Sequence, residues 1–348
     1  MMRAAVLTRY GKIEWKETPV PEFGPKEVLV KVNRAGICGT DQHIFKGDFD
    51  GRTHVPMIQG HEFAGVIHEM GKDVKGFHKG ERVVVDPIFW CGKCAACQLE
   101  HFPACTSLKL IGVDVDGGFA EYVAAKDFML YKIPDSISDR HAALVEMLSI
   151  GFHAARRAGV QKDDTVAIWG AGRVGQTILR ACRTITGNGI FIVDVLQNRL
   201  DKAVKAYPDV VAIHAAKENP VEAIRERTRG RGVDVAFEAV GHAMPLAEQT
   251  PPVRACIQSI RGAGTVCVLG LADDPVPLVM KELIWKEARI VASRVTHGEF
   301  KTTVCHLERG ELHPDLLISA EMPASQAQEA FRMLDEHPED HLKVLLKL

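Results

Sequence analysis

Between residues 165 and 269 the chain alternates short apolar runs with longer mixed segments. Thr165–Trp169 is an apolar run closed by Gly170-Ala171-Gly172, and apolar residues then recur at Val174, Ile178, Cys182 and Ile185. Spacings of 4, 4 and 3 draw one apolar stripe along a helix, as expected of a helix laid on a sheet. A second apolar run, Ile190–Val193, stops at Asp194. Helical Asn198–Tyr207, strand Val210–Ile213, helix Pro220–Arg229 and strands Val233–Phe237 and Thr265–Leu269 continue the series. Repeated strand–helix–strand units predict an α/β fold, a doubly wound parallel sheet with helices on both faces.

The first 130 residues read differently. Arg3–Leu7 and Ile13–Glu17 flank Arg9-Tyr10-Gly11-Lys12 as a hairpin. Val28–Val32, Phe63–His68 and Arg82–Val85 are further β-rich runs cut by Gly and Pro, which predicts a mainly β body. The expected division is residues 1–150 for that body, 151–282 for the α/β domain, and 283–348 for a return to the first domain, since the alternation weakens there.

The length of 348 residues agrees with two domains at roughly 150 residues each. Lys+Arg number 43 and Asp+Glu 45, a net charge of −2, so the basic excess that replaces counterions on a nucleic acid is missing. No apolar run approaches the roughly 18 residues of a membrane span. The start, Met1 to Leu7, meets Thr8-Arg9 too soon for a secretory segment, and a cytoplasmic enzyme is expected. Nine cysteines fit poorly with a disulfide framework in such a chain.

Their positions point to metal. Cys91-x2-Cys94-x2-Cys97-x7-Cys105 gathers four thiolates around a turn at Gly92, within a lobe of about residues 88–108. Four sulfurs make a closed tetrahedral site without an open position, hence a structural zinc. A dinucleotide site is expected at Gly170-Ala171-Gly172-Arg173-Val174-Gly175, between a strand and a helix. Its glycines permit the turn, the approach of the pyrophosphate and the helix–strand packing, and the helix N-terminus offers free N–H groups. Asp194, 19 residues after Gly175, is placed to accept both adenosine ribose hydroxyls and to repel a 2′-phosphate, which favours NAD. Arg199 offers a cation that softens that preference.

Two further stretches hold candidate ligands, Gly36-Ile37-Cys38-Gly39-Thr40-Asp41-Gln42-His43 and Gly60-His61-Glu62. Taken with the cysteine lobe, Gly117-Gly118-Phe119-Ala120-Glu121-Tyr122 and the glycine motif, they make the chain resemble the zinc-containing medium-chain dehydrogenase/reductase family from end to end. Ala142-Ala143-Leu144-Val145-Glu146-Met147-Leu148 makes the sorbitol (polyol) and threonine dehydrogenase branch the most similar, with Met147 where the branch commonly has proline.

The resemblance implies a Rossmann domain beside a GroES-like catalytic domain, two zinc ions per chain, NAD, and a homo-dimer or homo-tetramer. It implies Cys38 and His61 as ligands of a catalytic zinc, with Glu62 and Glu146 as alternating acidic ligands. Zn²⁺ with one thiolate, a neutral imidazole and one carboxylate sums to zero, whereas a second carboxylate makes the site negative and weakens its pull on an alkoxide. The implied reaction is oxidation of a secondary alcohol (a polyol, sugar acid or amino alcohol) by hydride transfer to nicotinamide. Thr40 and His43 match the proton relay, and Arg294 matches an arginine near substrate or nicotinamide. Glu238 is weighed between the cofactor cleft and a salt bridge, Phe89 and Trp90 between pocket wall and core, and His153 as an interior hydrogen-bonding residue. Competing readings are a simple secondary-alcohol or aldehyde dehydrogenase, and a non-catalytic zinc- and nucleotide-binding scaffold.

Overall fold

A computed structural model describes the chain except Asp50 and residues 242–249 and 272–274. It divides into two compact units, residues 1–147 with 296–310 and 318–348, and residues 148–295 with 311–317.

The second unit holds six parallel strands in the spatial order Val211–His214, Ile190–Asp194, Val166–Trp169, Val233–Glu238, Ile260–Val268 and Arg289–Ala292. Counted along the chain this is 3-2-1-4-5-6, the dinucleotide-binding order, whose direction reverses beside the first strand. Strand Val166–Trp169 is wholly buried, and its Ala167 and Trp169 pack with Phe191, Val193, Ile213 and Ile257 in one core. Each of the Phe, Val and Ile side chains contributes about 1.5–3 kcal/mol relative to exposure. The glycine motif leads into helix Arg173–Ile185 as expected, but the helix is buried on more than one stripe: Gln176, Thr177 and Arg180 lie inside with Ile178 and Cys182.

The expected boundary at residue 282 falls too early. Strand Arg289–Ala292 pairs in parallel with Ile260–Val268, so the unit runs to Val295. Four residues, three of them exposed and only Val291 partly buried, leave a weak apolar signal, which is why the pattern fades before the domain ends. Segment 311–317 also belongs here and not to the first unit.

In the first unit, Met2–Arg9 pairs antiparallel with Lys12–Thr18, confirming the hairpin geometry, and also with Met57–Ile58. A seven-stranded sheet runs Leu130–Lys132, Arg82–Val85, Glu62–Met70, Glu27–Gly36, Lys343–Lys347 and Ile318–Pro323, with Tyr122–Lys126 also on Glu27–Gly36. Two pairings of Glu27–Gly36 matter for chemistry. Gly36 is opposite Glu62 on one side and opposite Leu345 on the other. Chain segments near residues 38, 61 and 343 therefore converge at one end of one strand.

Candidate metal centres and dinucleotide site

Cys38 follows that strand end and precedes helix Gly39–Lys46. Antiparallel pairing brings His61 and Glu62 to it, and the ligand atoms of Cys38, His61 and Glu62 all lie within 4.8 Å of one another. His61 and Glu62 are 4% and 1% exposed. Asp41 Oδ1 stands 3.5 Å from His61 Nδ1, and its Oδ2 accepts the Cys38 backbone N–H at 2.8 Å. Asp41 thereby fixes the Cys38 backbone and sets a carboxylate beside the imidazole, where neither Asp41 Oδ1 nor His61 Nδ1 has a hydrogen-bond partner among the described residues. Gln59 fixes Asp41 in turn, its amide donating to the Asp41 carbonyl at 2.8 Å.

The electrostatics fit a bound cation. Burial disfavours an imidazolium at His61, yet the charges of Asp41 and Cys38 outweigh it and hold its pKa well above the ordinary value. Burial pushes the Glu146 carboxyl up to about 7; Glu62 and Asp41 add to the rise, and His61 and Lys343 oppose it. Glu146 lies in the first turn of helix Val145–Ala158 and is 6% exposed. A buried excess of negative groups around a thiol and an imidazole is the donor set zinc takes. Glu62 already has one cationic partner: Lys343 Nζ contacts its two oxygens at 2.7 and 2.6 Å.

Thr40 is half-buried on helix Gly39–Lys46, and His43, one turn on, is exposed with Nδ1 2.8 Å from Asp48 Oδ2. A histidine at the surface with a carboxylate partner can pass a proton to water. Deeper in the same unit, burial pushes the Asp86 carboxyl well above its usual range, and the charges of Glu146 and Glu299 add to this.

The cysteine lobe closes as its spacing predicts. The sulfurs of Cys91, Cys94, Cys97 and Cys105 lie within 4.8 Å of one another. Cys94–Cys97 and Cys91–Cys97 are 3.5 and 4.0 Å apart, bracketing the roughly 3.8 Å edge of a tetrahedron built on Zn–S bonds of about 2.3 Å. Backbone N–H groups of Cys94 and Ser107 point at Cys91 and Cys105 sulfurs. Backbone N–H groups of Cys97 and Thr106 draw Cys94 down to about 6, while burial and neighbouring thiols push Cys97 up to about 12. Four sulfurs this close share charge badly without a dication.

At the glycine motif, a Cβ on Gly175 would stand 1.7 Å from the Gly170 carbonyl oxygen, so helix–strand packing demands glycine there. A Cβ on Gly172 would meet only Arg199 Nη1, at 3.6 Å. Its own fold does not need that space, which a phosphate lying on the helix N-terminus does. Arg173 and Val174 open the helix, both half-buried. Asp194 ends its strand as expected, and its carboxylate is held by the neighbouring backbone. Its Oδ2 accepts Ala171 N–H at 2.7 Å and its Oδ1 accepts Leu196 N–H at 2.9 Å, with Arg199 Nη1 3.9 Å from Oδ2. Each oxygen keeps a second lone pair for a hydroxyl.

The remaining candidates separate. Arg294 is exposed, two residues beyond strand Arg289–Ala292. Glu238 makes no salt bridge among the described residues; its Oε1 accepts the N–H groups of Val240 and Gly241 at 2.8 and 3.0 Å and shapes the turn after its strand. Trp90 stacks on Phe102 at 4.1 Å and meets His297 edge-on at 5.3 Å, while Lys126 lies over Phe89. His153 is buried with Nδ1 3.2 Å from Arg156 Nη2. Asp41 and Lys343 escape the sequence reading. An acid three residues after a helix start is a visible signal for Asp41; nothing in Lys343-Val344-Leu345-Leu346-Lys347 marks Lys343.

The chain matches the Alcohol dehydrogenase GroES-like domain family over residues 24–135 and the Zinc-binding dehydrogenase family over residues 174–309. It is 32% identical to the sorbitol dehydrogenase of Bacillus subtilis (strain 168), over 99% of this chain and 97% of that protein. Among solved structures, RspB of Escherichia coli CFT073, an alcohol dehydrogenase complexed with NADH, superposes with a TM-score of 0.90 at 28% identity, covering 100% of this chain and 99% of that one. A putative zinc-binding dehydrogenase of Sinorhizobium meliloti 1021 bound to NADP gives 0.89 at 28% identity, covering 100% and 99%.

Proposed function

The chain belongs to the zinc-type medium-chain dehydrogenase/reductase family, on its sorbitol-dehydrogenase-like side, and from that premise we propose that it oxidises a secondary hydroxyl of a polyol, sugar acid or amino alcohol to the ketone. The observation that carries this is the convergence of Cys38, His61 and Glu62 donor atoms within 4.8 Å in a chain that also has the dinucleotide loop. Two zinc ions per chain are assigned, one held by Cys38, His61 and an acidic ligand, the other by Cys91, Cys94, Cys97 and Cys105. Zinc supplies a Lewis acid that lowers the pKa of a hydroxyl, and the nicotinamide accepts the hydride.

The chain's own residues do the rest. The Asp41 carboxylate beside His61 Nδ1 would favour the tautomer that leaves the other ring nitrogen to a metal. Glu62 and Glu146 would serve as alternative acidic ligands, and Lys343 would neutralise Glu62 when Glu146 is the ligand. Thr40 and His43 would relay the substrate proton outward, the Thr40 hydroxyl accepting it as it releases its own and the exposed His43 imidazole handing a proton to water. Arg294 is assigned to the substrate or nicotinamide end, Asp194 to the adenosine ribose. NAD is the assigned cofactor, and Arg199 beside Asp194 supports some use of NADP.

Similarity to the sorbitol dehydrogenase of Bacillus subtilis favours a hydroxyl-rich substrate over a simple alcohol. Assembly as a homo-oligomer is proposed through the edge strand Arg289–Ala292, beside which Met280, Ile284 and Trp285 are 60%, 68% and 75% exposed. No helix among the described residues is long and apolar enough to cross a membrane, and the cytoplasm, where nicotinamide cofactors circulate, is the proposed compartment.

The test is zinc stoichiometry with a substrate panel. Polyols, sugar acids, L-threonine and simple secondary alcohols are offered with NAD and with NADP while nicotinamide absorbance is followed. Two zinc ions and NAD reduction by a polyhydroxy or amino alcohol are expected. One zinc confined to the cysteine lobe, with no turnover, overturns the enzyme reading, and turnover of simple alcohols alone overturns the substrate class.

A further inference from the structure

Helix Arg173–Ile185 buries two polar side chains one turn apart, Gln176 and Arg180, both 0% exposed. The Gln176 amide donates to the carbonyls of Ala171 at 3.2 Å and Arg199 at 2.9 Å. Its Oε1 accepts from Arg180 Nη1 at 2.9 Å, and the same nitrogen donates to the Gln176 carbonyl at 2.9 Å. On the far side, Arg180 Nε reaches the Leu312 carbonyl at 2.8 Å and Nη2 the His313 carbonyl at 3.4 Å.

Among the described residues Arg180 makes no ion pair; its acceptors are all neutral oxygens. Burial lowers its pKa to about 10, so it stays charged at neutral pH. Enclosing an unpaired guanidinium is costly, and the contacts indicate what offsets that cost. Ala171, inside the glycine motif, is gripped on both polar groups: its N–H by Asp194 and its carbonyl by Gln176. The same amide grips the carbonyl of Arg199, on the next helix, whose side chain approaches Asp194. Helical side chains lean toward the N-terminus, which sets the Arg180 charge behind the end of the helix where anions bind.

We propose that Gln176 and Arg180 are positioning residues for the dinucleotide, a buried pair that holds the glycine loop and the Arg199 turn in the shape the cofactor's phosphates and adenosine ribose require. This rests on the dinucleotide site assigned above. Neither side chain is free to touch a ligand; both act through Ala171, Arg199 and the helix N-terminus.

The test uses the zinc-loaded enzyme and NADH fluorescence titration, with KM for NAD, kcat and thermal melts, on Q176L, R180M, R180K and Q176L/R180M. Saturable NADH binding by the unaltered protein is the control, and its absence would refute the dinucleotide reading itself. Q176L and R180M are expected to raise the NADH Kd and the NAD KM about tenfold, the scale of one lost buried hydrogen bond of a charged group. kcat is not expected to fall, the alcohol KM should stay put, and R180K should recover most of the affinity. The double variant should be no weaker than the worse single one, because the pair acts as a unit. Q176L leaves Arg180 its three carbonyl acceptors, so it decides the matter if R180M does not fold. Variants that melt earlier but bind NADH normally, or whose losses add, overturn the proposal.

Discussion

Lys343 holds its ammonium 2.7 and 2.6 Å from the two carboxylate oxygens of Glu62, across 281 residues of sequence. Both side chains are essentially sealed, 0% and 1% exposed, and the lysine also donates to the Ile37 carbonyl at 3.0 Å. The last strand of the chain thus carries the counter-charge of a candidate metal ligand.

Removing that lysine leaves a buried carboxylate without a partner. K343M is expected to lose about 3–5 kcal/mol of stability in the metal-free protein. The loss should be smaller with zinc present, because the cation then takes the charge of Glu62. Thermal melts of variant and parent, with and without a chelator, check this; equal melting of the two metal-free proteins would contradict it.

Glu146 and Glu62 are proposed to alternate at one metal. E146Q should retain most of its catalytic zinc, since Cys38, His61 and Glu62 remain, while losing turnover by at least about a hundredfold, roughly 2.7 kcal/mol of barrier. Elemental analysis beside the rate assay reads both quantities. Complete loss of the second zinc would make Glu146 a permanent ligand.

Cys97 is buried, and its sulfur lies 3.5 and 4.0 Å from those of Cys94 and Cys91. C97S should reduce zinc from two ions to about one per chain and lower the melting temperature, since such a site supplies folding free energy on the order of 10 kcal/mol to its loop. An unchanged zinc content would remove the lobe from the metal assignment.

Asp234 tests acid stability in the nucleotide domain. Burial raises its pKa, but hydrogen bonds from Arg261 and the Thr165 N–H, and the charge of Arg231, outweigh burial and lower it. A carboxyl lowered on folding adds stability that is complete above its unfolded value, about 3.9, and is lost as pH falls through the folded value. D234N should cost about 1–3 kcal/mol near pH 7, discounted because both arginines are partly exposed. Its melting temperature should converge on that of the parent below about pH 4. A constant gap across that range would assign the loss to packing.

Much of the site was legible without coordinates. The glycine motif, the four-cysteine spacing and the strand endings at Asp194 and Glu238 are local signals, because a turn, a chelate loop or a strand–helix junction is specified by residues next to one another. The parallel sheet followed from periodicity for the same reason, and its sixth strand was lost because Arg289–Ala292 is short and mostly exposed. What only the fold decided are relationships across the chain. Register set Gly36 against both Glu62 and Leu345, and so brought Cys38, His61 and Lys343 together. Packing buried Gln176 and Arg180 on a helix that the pattern read as amphipathic, and gave Asp194 two backbone partners besides any ribose. Sequence spacing determines which donors exist; burial and strand register determine which charges must neutralise one another, since only their distance and the exclusion of water fix that energy.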